Sequence, residues 1–223
     1  MSIRKVSFAS DEYYHIYNRG NSKQKIFLDK KDYSRFLQLI FLCNSHKNIN
    51  FRDFFKTNDD IFSFDRGDTL VDIGAYCLMP NHFHLLFKEK KDKNISIFMQ
   101  KLATSYVMYF NKKYNRSGSL FEGKFKSQHI NSDRYLKYIF SYIHLNPVKL
   151  IDSKWREMGI KDKNKAFNFC KQYPYSSLAT LKNNKVLGNQ CILNKDPFPG
   201  YFLNFEEYQV EIFEWLDFSL GKA

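Results

Sequence analysis

Two histidines two positions apart, His82 and His84, have the spacing in this chain that most directly suggests metal chemistry. The surrounding residues read as a β-strand, and side chains i and i+2 of a strand point to the same face. Both imidazoles can therefore bind a single metal ion. Phe83, Leu85 and Phe87 face the other side, where we expect them to pack into a core. The spacing predicts a candidate metal site on one face of a strand.

A helix predicted to begin near Ser132 carries a second pair of polar groups, Tyr142 and Asn146. At about 100° per residue, these two side chains lie one turn apart on the same flank of the helix. His144 points to the far side, so we interpret it as a surface or second-layer group and not as a ligand. The apolar stripe of this helix consists of Tyr135, Leu136, Ile139, Phe140 and Ile143.

These two pairs offer complementary chemistry. His82 and His84 provide nitrogen ligands, and the side-chain carbonyl of Asn146 provides an oxygen ligand. A mixed donor set with open positions suits Mg²⁺ or Mn²⁺ in contact with a phosphate. Tyr142 would then act as the nucleophile and form a covalent phosphotyrosine.

Each of these residues also has a structural interpretation. A His-x-His pair in a strand is often a chance occurrence. Tyr142 could be a tyrosine at the border of the core, and Asn146 could simply mark the end of its helix. Tyr106 and Tyr138 are rival nucleophiles, although Tyr106 lies in the middle of an apolar stripe. Two further histidines have no partner at a suggestive spacing and are interpreted as structural: His15 and His129.

Hydrophobic periodicity predicts the elements that position these groups. Strands are expected at 13–18, 71–78, 82–87 and 124–130, helices at 29–44, 95–114 and 132–146, and an amphipathic segment at 205–218. The turn at Pro80 and Asn81 makes the second and third strands an antiparallel hairpin. Asp29, with Asp32 three positions later, is expected to cap the first helix. This order predicts an α+β fold, an antiparallel sheet with helices packed on it.

The 223-residue chain carries a net charge of +12, from 35 Lys and Arg against 23 Asp and Glu. Such an excess points to a polyanionic partner, nucleic acid first and an anionic membrane surface second. A generally basic protein without such a partner is the alternative. Basic and aromatic residues interleave at 109–116 and 121–126, a pattern that suits single-stranded nucleic acid.

The four cysteines are scattered and form no CxxC pair, which argues against a zinc knuckle or a disulfide framework. The first residues lack the apolar stretch of a signal peptide, and no apolar run approaches the roughly 20 residues of a membrane span. We therefore expect a cytoplasmic protein in a reducing compartment, with no membrane partner.

At these residues the chain resembles the single-tyrosine HUH transposases, and most closely the REP-associated tyrosine transposases. The similar segments occur in the family's order and together span about residues 12–180: 14–21, 75–86, 118–125, 138–148 and 175–177. One segment alone would be weak, but the ordered set is specific.

The resemblance implies a ferredoxin-like or RRM-like antiparallel sheet with helices packed on one face, plus a C-terminal extension. It also implies cleavage of single-stranded DNA near a hairpin, with a divalent metal, Mg or Mn, a 5′-phosphotyrosine intermediate and release of a 3′-OH. By position, Tyr142 matches the family's nucleophile. His82, His84 and Asn146 match its three metal ligands. The implied assembly is a monomer or a homodimer.

The resemblance divides the chain into a catalytic domain at 1–150 and an extension at 151–223. Within the catalytic domain, residues 46–70 form a longer segment than the usual connector of the family. They are interpreted as an inserted hairpin or ordered loop. The part beyond about residue 180 matches nothing in the family, and the extension is expected to contact DNA or to pack on the core. The candidate DNA contacts are Arg19, Arg116, Lys124 and Lys126.

Two other classes of function stay open at this point. A non-catalytic nucleic-acid-binding module could use the same sheet without chemistry. A metal-dependent phosphodiesterase could use water as the nucleophile and leave no protein-linked strand.

Overall fold

The computed structural model describes residues 7–50, 60–160, 162–182, 191–201 and 205–218. One antiparallel sheet, in the order β2-β3-β1-β4, contains the strands β1 (Tyr13–Arg19), β2 (Val71–Met79), β3 (His82–Glu89) and β4 (Lys126–Ile130). The helices in the described residues are α1 (Lys30–Cys43), α2 (Asn94–Lys113), α3 (Asp133–Leu145), α4 (Trp155–Met158), α5 (Lys163–Gln172), α6 (Leu178–Lys182) and α7 (Phe205–Phe218). The predicted α+β class and its antiparallel sheet are confirmed.

The helix that follows β1 begins where its capping residues predict. The Asp29 carboxylate accepts a hydrogen bond from the backbone N–H of Asp32 at 3.1 Å, and Asp32 accepts one from the backbone N–H of Asp29 at 3.3 Å. Asp32 is fully buried and also accepts hydrogen bonds from Lys113, Tyr109 and Tyr114. This carboxylate therefore ties the start of α1 to the end of α2.

Helices cover both faces of the sheet, which corrects the expectation that they pack on one face. The first face, with Phe83, Leu85 and Phe87, packs against α1 and α2. The second face, with Leu86, packs against α3 through the predicted stripe that includes Ile139. The physical reason is that the second face also carries apolar side chains, such as Ala75, Met79 and Leu86, which have to be removed from water.

A β-bulge in β2 determines which residues after it point to the second face of the sheet, beginning with Ala75. The register shifts between Ile73 and Ala75, which places Gly74 out of pairing with β3. A Cβ atom at Gly74 would lie 2.7 Å from the ring of Phe198. Glycine is needed here because the loop that carries Phe198 packs directly on the bulge.

The predicted insertion at 46–70 is described at 46–50 and 60–70, and the rest lies outside the described residues. These two parts contain no strand; they contain a short 3₁₀ turn at Ile61–Ser63. Ile61 is buried against the core formed with α1, and the ring of Phe62 lies 5.4 Å from that of Phe41.

The C-terminal region packs against the end of α3. Leu145 and Val148 share an apolar cluster with Phe167 of α5 and with Tyr208 and Ile212 of α7. The domain boundary near residue 150 stays a prediction. Within the described ranges, no helix combines the length and apolar character needed to cross a bilayer.

Candidate active site

The paired histidines of β3 lie on the sheet face that α3 covers. His84 lies opposite Cys77 of β2 and Tyr17 of β1 in the antiparallel register. The ring centroids of His82 and His84 are 5.1 Å apart. The predicted division of β3 into a histidine face and a core face is therefore present in the structure.

The helix α3 places Tyr142 directly on this histidine pair. The ring of Tyr142 lies 5.3 Å from that of His84 in an edge-to-face arrangement. One open cavity of about 320 Å³ is lined by Tyr142, His82 and His84 together with Lys149. Residues about sixty positions apart in sequence therefore share one cavity.

Asn146 lies at the C-terminal end of α3, where its side chain is fully buried. Its Nδ2 donates a hydrogen bond to the backbone carbonyl of Tyr142 at 2.9 Å, which fixes the amide orientation. The opposite atom, Oδ1, is buried without a hydrogen-bond partner among the described residues. The amide also lies beside His82. It raises the pKa of that imidazole, but burial lowers the same pKa by more. A buried acceptor without a partner is costly, so Asn146 is suited to bind a cation.

Two further side chains orient the histidine rings. The Nδ1 atom of His82 lies 2.6 Å from Oδ1 of Asn81, whose own amide nitrogen donates to the carbonyl of Lys23. Because this amide presents its oxygen, His82 must donate from Nδ1. The Nδ1 atom of His84 lies 2.8 Å from Nε2 of His15. Metal-binding histidines are commonly held through the second ring nitrogen in this way.

Burial keeps the histidines neutral at neutral pH. It lowers the pKa of His82 to about 4, with a further contribution from the charge of Lys149. It lowers the pKa of His15 to about 4 and that of His84 well below its ordinary value. A histidine must be neutral to bind a metal, so these side chains need no deprotonation at pH 7.

The donor set fits a divalent ion. Among the described residues, no group of three or more His, Cys, Asp or Glu side chains is arranged to hold a metal. A third protein ligand beside His82 and His84 would therefore have to be of another type. The buried Oδ1 of Asn146 meets that condition, and a nitrogen and oxygen set suits Mg²⁺ or Mn²⁺.

The rival residues lie elsewhere. Tyr106 is fully buried and donates to the carbonyl of Ile26 at 2.5 Å. Tyr138 neighbours Tyr142, at 5.8 Å between ring centroids, but packs on Trp215 and does not line the cavity. His144 points away from the cavity, as expected.

The environment of His144 excludes one of its two interpretations, that of a surface group. It is 2% exposed and forms hydrogen bonds with Ser177, at 2.7 Å, and with Tyr208. Its burial follows from the docking of α7, which sequence periodicity within α3 does not reveal.

The four candidate DNA contacts lie at three places in the structure. Arg19 and Lys126 line the cavity that contains Tyr142. Lys124 lines a neighbouring cavity of about 580 Å³. Arg116 lies beyond the end of α2, with its guanidinium 5.4 Å from the ring centroid of Phe110.

Sequence reasoning missed four residues around the site. His15 is on the same sheet face as His84, but only the strand register reveals it. Asn81 stands next to His82 in sequence, a signal that could have been used. Lys149 follows Asn146 by one helical turn, so it too had a sequence signal. Arg156, whose guanidinium lies 4.4 Å from the centroid of the Tyr142 ring, had none.

Comparison with known proteins identifies the class of this fold and site. The model of the family described as IS200-like transposases matches residues 9–146, more than half of the chain. The chain therefore belongs to the IS200-like transposase family. No curated protein matches it.

A solved structure of a REP-associated tyrosine transposase bound to a REP hairpin resembles this fold with a TM-score of 0.52 at 13% identity. The match covers 82% of this chain and 86% of that one. A tRNA(His) guanylyltransferase from Saccharomyces cerevisiae also matches at 13% identity, over 91% of this chain and 86% of that one. Its TM-score of 0.34 is too low to carry an argument.

Proposed function

We propose that this protein is a metal-dependent endonuclease and strand transferase that cleaves single-stranded, hairpin-bearing DNA through a covalent 5′-phosphotyrosine at Tyr142. The observation that carries the proposal is the single cavity that Tyr142 shares with His82 and His84, next to the unpartnered oxygen of Asn146. Family membership supports a DNA-processing role, and the hairpin bound by the similar structure supports hairpin DNA as the substrate.

The residues of the chain have distinct roles in this proposal. His82, His84 and Asn146 hold the divalent ion, and Asn81 and His15 hold the two imidazoles in orientation. The bound ion supplies polarisation of a phosphoryl oxygen and stabilisation of charge at the phosphorus.

Tyr142 is positioned as the nucleophile by aromatic and cationic contacts. Its ring contacts that of His84, at 5.3 Å between centroids, and the Arg156 guanidinium, 4.4 Å from its centroid, and both contacts restrict its movement. The Tyr142 oxygen forms a bond to phosphorus as the bond from phosphorus to the 3′-oxygen breaks. The phenolic proton passes to solvent water, the leaving 3′-oxygen takes up a proton from solvent water, and the 5′-phosphate stays on the protein.

Incubation with stem-loop DNA and Mn²⁺, followed by denaturing gel electrophoresis, tests this mechanism. The unaltered protein should form a protein-linked strand, Tyr142→Phe should form none, and the matched control Tyr138→Phe should retain it. Adducts that persist in Tyr142→Phe would contradict the nucleophile assignment. Adduct formation that survives a chelator or His82→Ala would contradict the metal assignment.

The same gel separates the two other classes of function. A cut strand without a protein adduct would indicate hydrolysis by water. Salt-sensitive binding with no cleavage under any divalent metal would indicate a binding module.

A further inference from the structure

Two cationic side chains near Tyr142 lie beyond the segment that the family model matches. Lys149 lies in the 3₁₀ turn Asn146–Leu150 and lines the cavity. Arg156 lies in α4 and places its guanidinium over the Tyr142 ring at 4.4 Å. The family match ends at residue 146, so both follow it.

The two cations lie close enough to each other for the charge of Arg156 to lower the pKa of Lys149, in addition to the larger effect of burial.

No carboxylate in the described residues forms an ion pair with Lys149 or Arg156. Among the described residues that line the cavity, Glu122 is the acidic one. Both of its oxygens accept hydrogen bonds from Arg19, at 2.9–3.1 Å. Two half-buried cations without a counter-charge are unfavourable, and an anion bound between them would offset that cost.

Hydrogen bonds and packing anchor the segments that carry Lys149 and Arg156. Backbone N–H groups of Ile151 and Asp152 both donate to the carbonyl of Val148, which closes the turn that carries Lys149. Trp155, adjacent to Arg156, is 3% exposed and packs in the cluster with Leu145. The segment is therefore anchored to the same helix end that carries Asn146.

We propose that Lys149 and Arg156 form a phosphate clamp that holds the non-bridging oxygens of the phosphodiester next to Tyr142. The clamp rests on the proposed function, since it serves the same cavity. A guanidinium can donate hydrogen bonds to two phosphate oxygens at once. An ammonium group has three N–H donors and carries a localised positive charge.

The clamp acts on the charge of the reacting phosphate. As the bond from the Tyr142 oxygen to phosphorus forms and the bond to the 3′-oxygen breaks, negative charge stays on the non-bridging oxygens. Lys149 and Arg156 stabilise that charge without exchanging a proton. The segment after Asn146 therefore completes the site.

Titration of inorganic phosphate into the metal-free, full-length protein, followed by ³¹P NMR, tests the clamp without any chemistry. Lys149→Gln and Arg156→Gln should each weaken phosphate binding by about 5-fold or more. The control Lys154→Gln, an exposed neighbour that does not line the cavity, should leave it unchanged. Unchanged phosphate affinity in both clamp variants would overturn the proposal.

A second measurement separates the clamp from a merely structural role. Lys149→Gln should slow adduct formation by about 100-fold, while Lys149→Arg should restore most of it. The affinity for Mn²⁺ should be unchanged or higher in Lys149→Gln, since a repelling charge is removed. A parallel loss of Mn²⁺ affinity and phosphate affinity would indicate damage to the fold and would overturn the clamp.

The two proposals fail in different ways. If the unaltered protein forms no adduct but the clamp variants lose phosphate binding, the proposed function is wrong and the anion site stands. If adducts form normally in both clamp variants, the proposed function stands and the clamp is wrong.

Discussion

At the scale of single residues, His15 is the side chain whose role the fold changes most. Its spacing suggests no partner, yet its Nε2 lies 2.8 Å from Nδ1 of His84. For His84 to bind a metal through Nε2, its proton must lie on Nδ1, and His15 then accepts the hydrogen bond. His15 is therefore expected to fix both the tautomer and the orientation of His84.

Replacing His15 should weaken metal binding. His15→Phe removes the acceptor and leaves a buried N–H of His84 without a partner, so Mn²⁺ affinity should fall by about 10-fold or more. Isothermal titration of the metal-free protein with Mn²⁺ measures this. His129→Phe is the control, because that imidazole pairs with Glu12 at 2.8 Å, away from the cavity. Equal Mn²⁺ affinity in both variants would contradict the role of His15.

At the scale of elements, α3 is held between the sheet and the C-terminal region. One flank places Tyr142 on the histidine pair, and the other buries His144 against Ser177 and Tyr208. Ser177 also donates to the carbonyl of Tyr76 in β2 at 3.2 Å. His144 thus connects the helix of the candidate nucleophile to both the central sheet and α7.

Stability should depend on pH through His144. Burial lowers its pKa to about 3, against about 6.5 in the unfolded chain, so the unfolded state binds more protons between these values. The free energy of unfolding should therefore fall as pH drops, by about 2 kcal/mol from pH 6.5 to 5 for this residue. Urea unfolding at both pH values measures it.

The variant His144→Gln isolates this contribution from those of the other buried histidines. Glutamine can keep a hydrogen bond but does not titrate, so the loss of stability between pH 6.5 and 5 should become smaller by that amount. An identical loss in the variant would show that His144 is not responsible.

At the scale of the whole molecule, the charge of +12 is expected to dominate DNA affinity. If the four candidate contacts Arg19, Arg116, Lys124 and Lys126 each neutralise one phosphate of a single strand, the slope of log K against log salt is about −2.8. Affinity for stem-loop DNA should then fall about 50-fold between 50 and 200 mM KCl. Fluorescence anisotropy with Tyr142→Phe, which cannot cleave, measures this.

Single variants assign that salt dependence to residues. Lys126→Gln should make the slope less negative by about 0.7, as one phosphate contact is lost. Lys154→Gln, which is exposed and away from the cavity, should leave the slope unchanged. A slope near zero in the parent protein would contradict an electrostatic DNA interface.

Most of the fold could be predicted because the sequence features that specify its elements act over short stretches of the chain. The capping residues, the turn at Pro80 and Asn81, and the apolar stripe of α3 each act over a few residues, and the structure contains all three. The bulge at Gly74 and the packing of helices on both faces were not predictable. Both depend on contacts with residues far away in the chain, such as Phe198.

The sequence by itself determined which side chains share a face, since strand and helix periods are properties of the local backbone. It therefore grouped His82 with His84, and Tyr142 with Asn146. Only the tertiary structure decided that these two pairs meet in one cavity, that His15 contacts His84, and that Lys149 and Arg156 lie beside Tyr142. The physical reason is that strand register and helix docking are set by packing between distant segments, for which a single sequence carries no local signal.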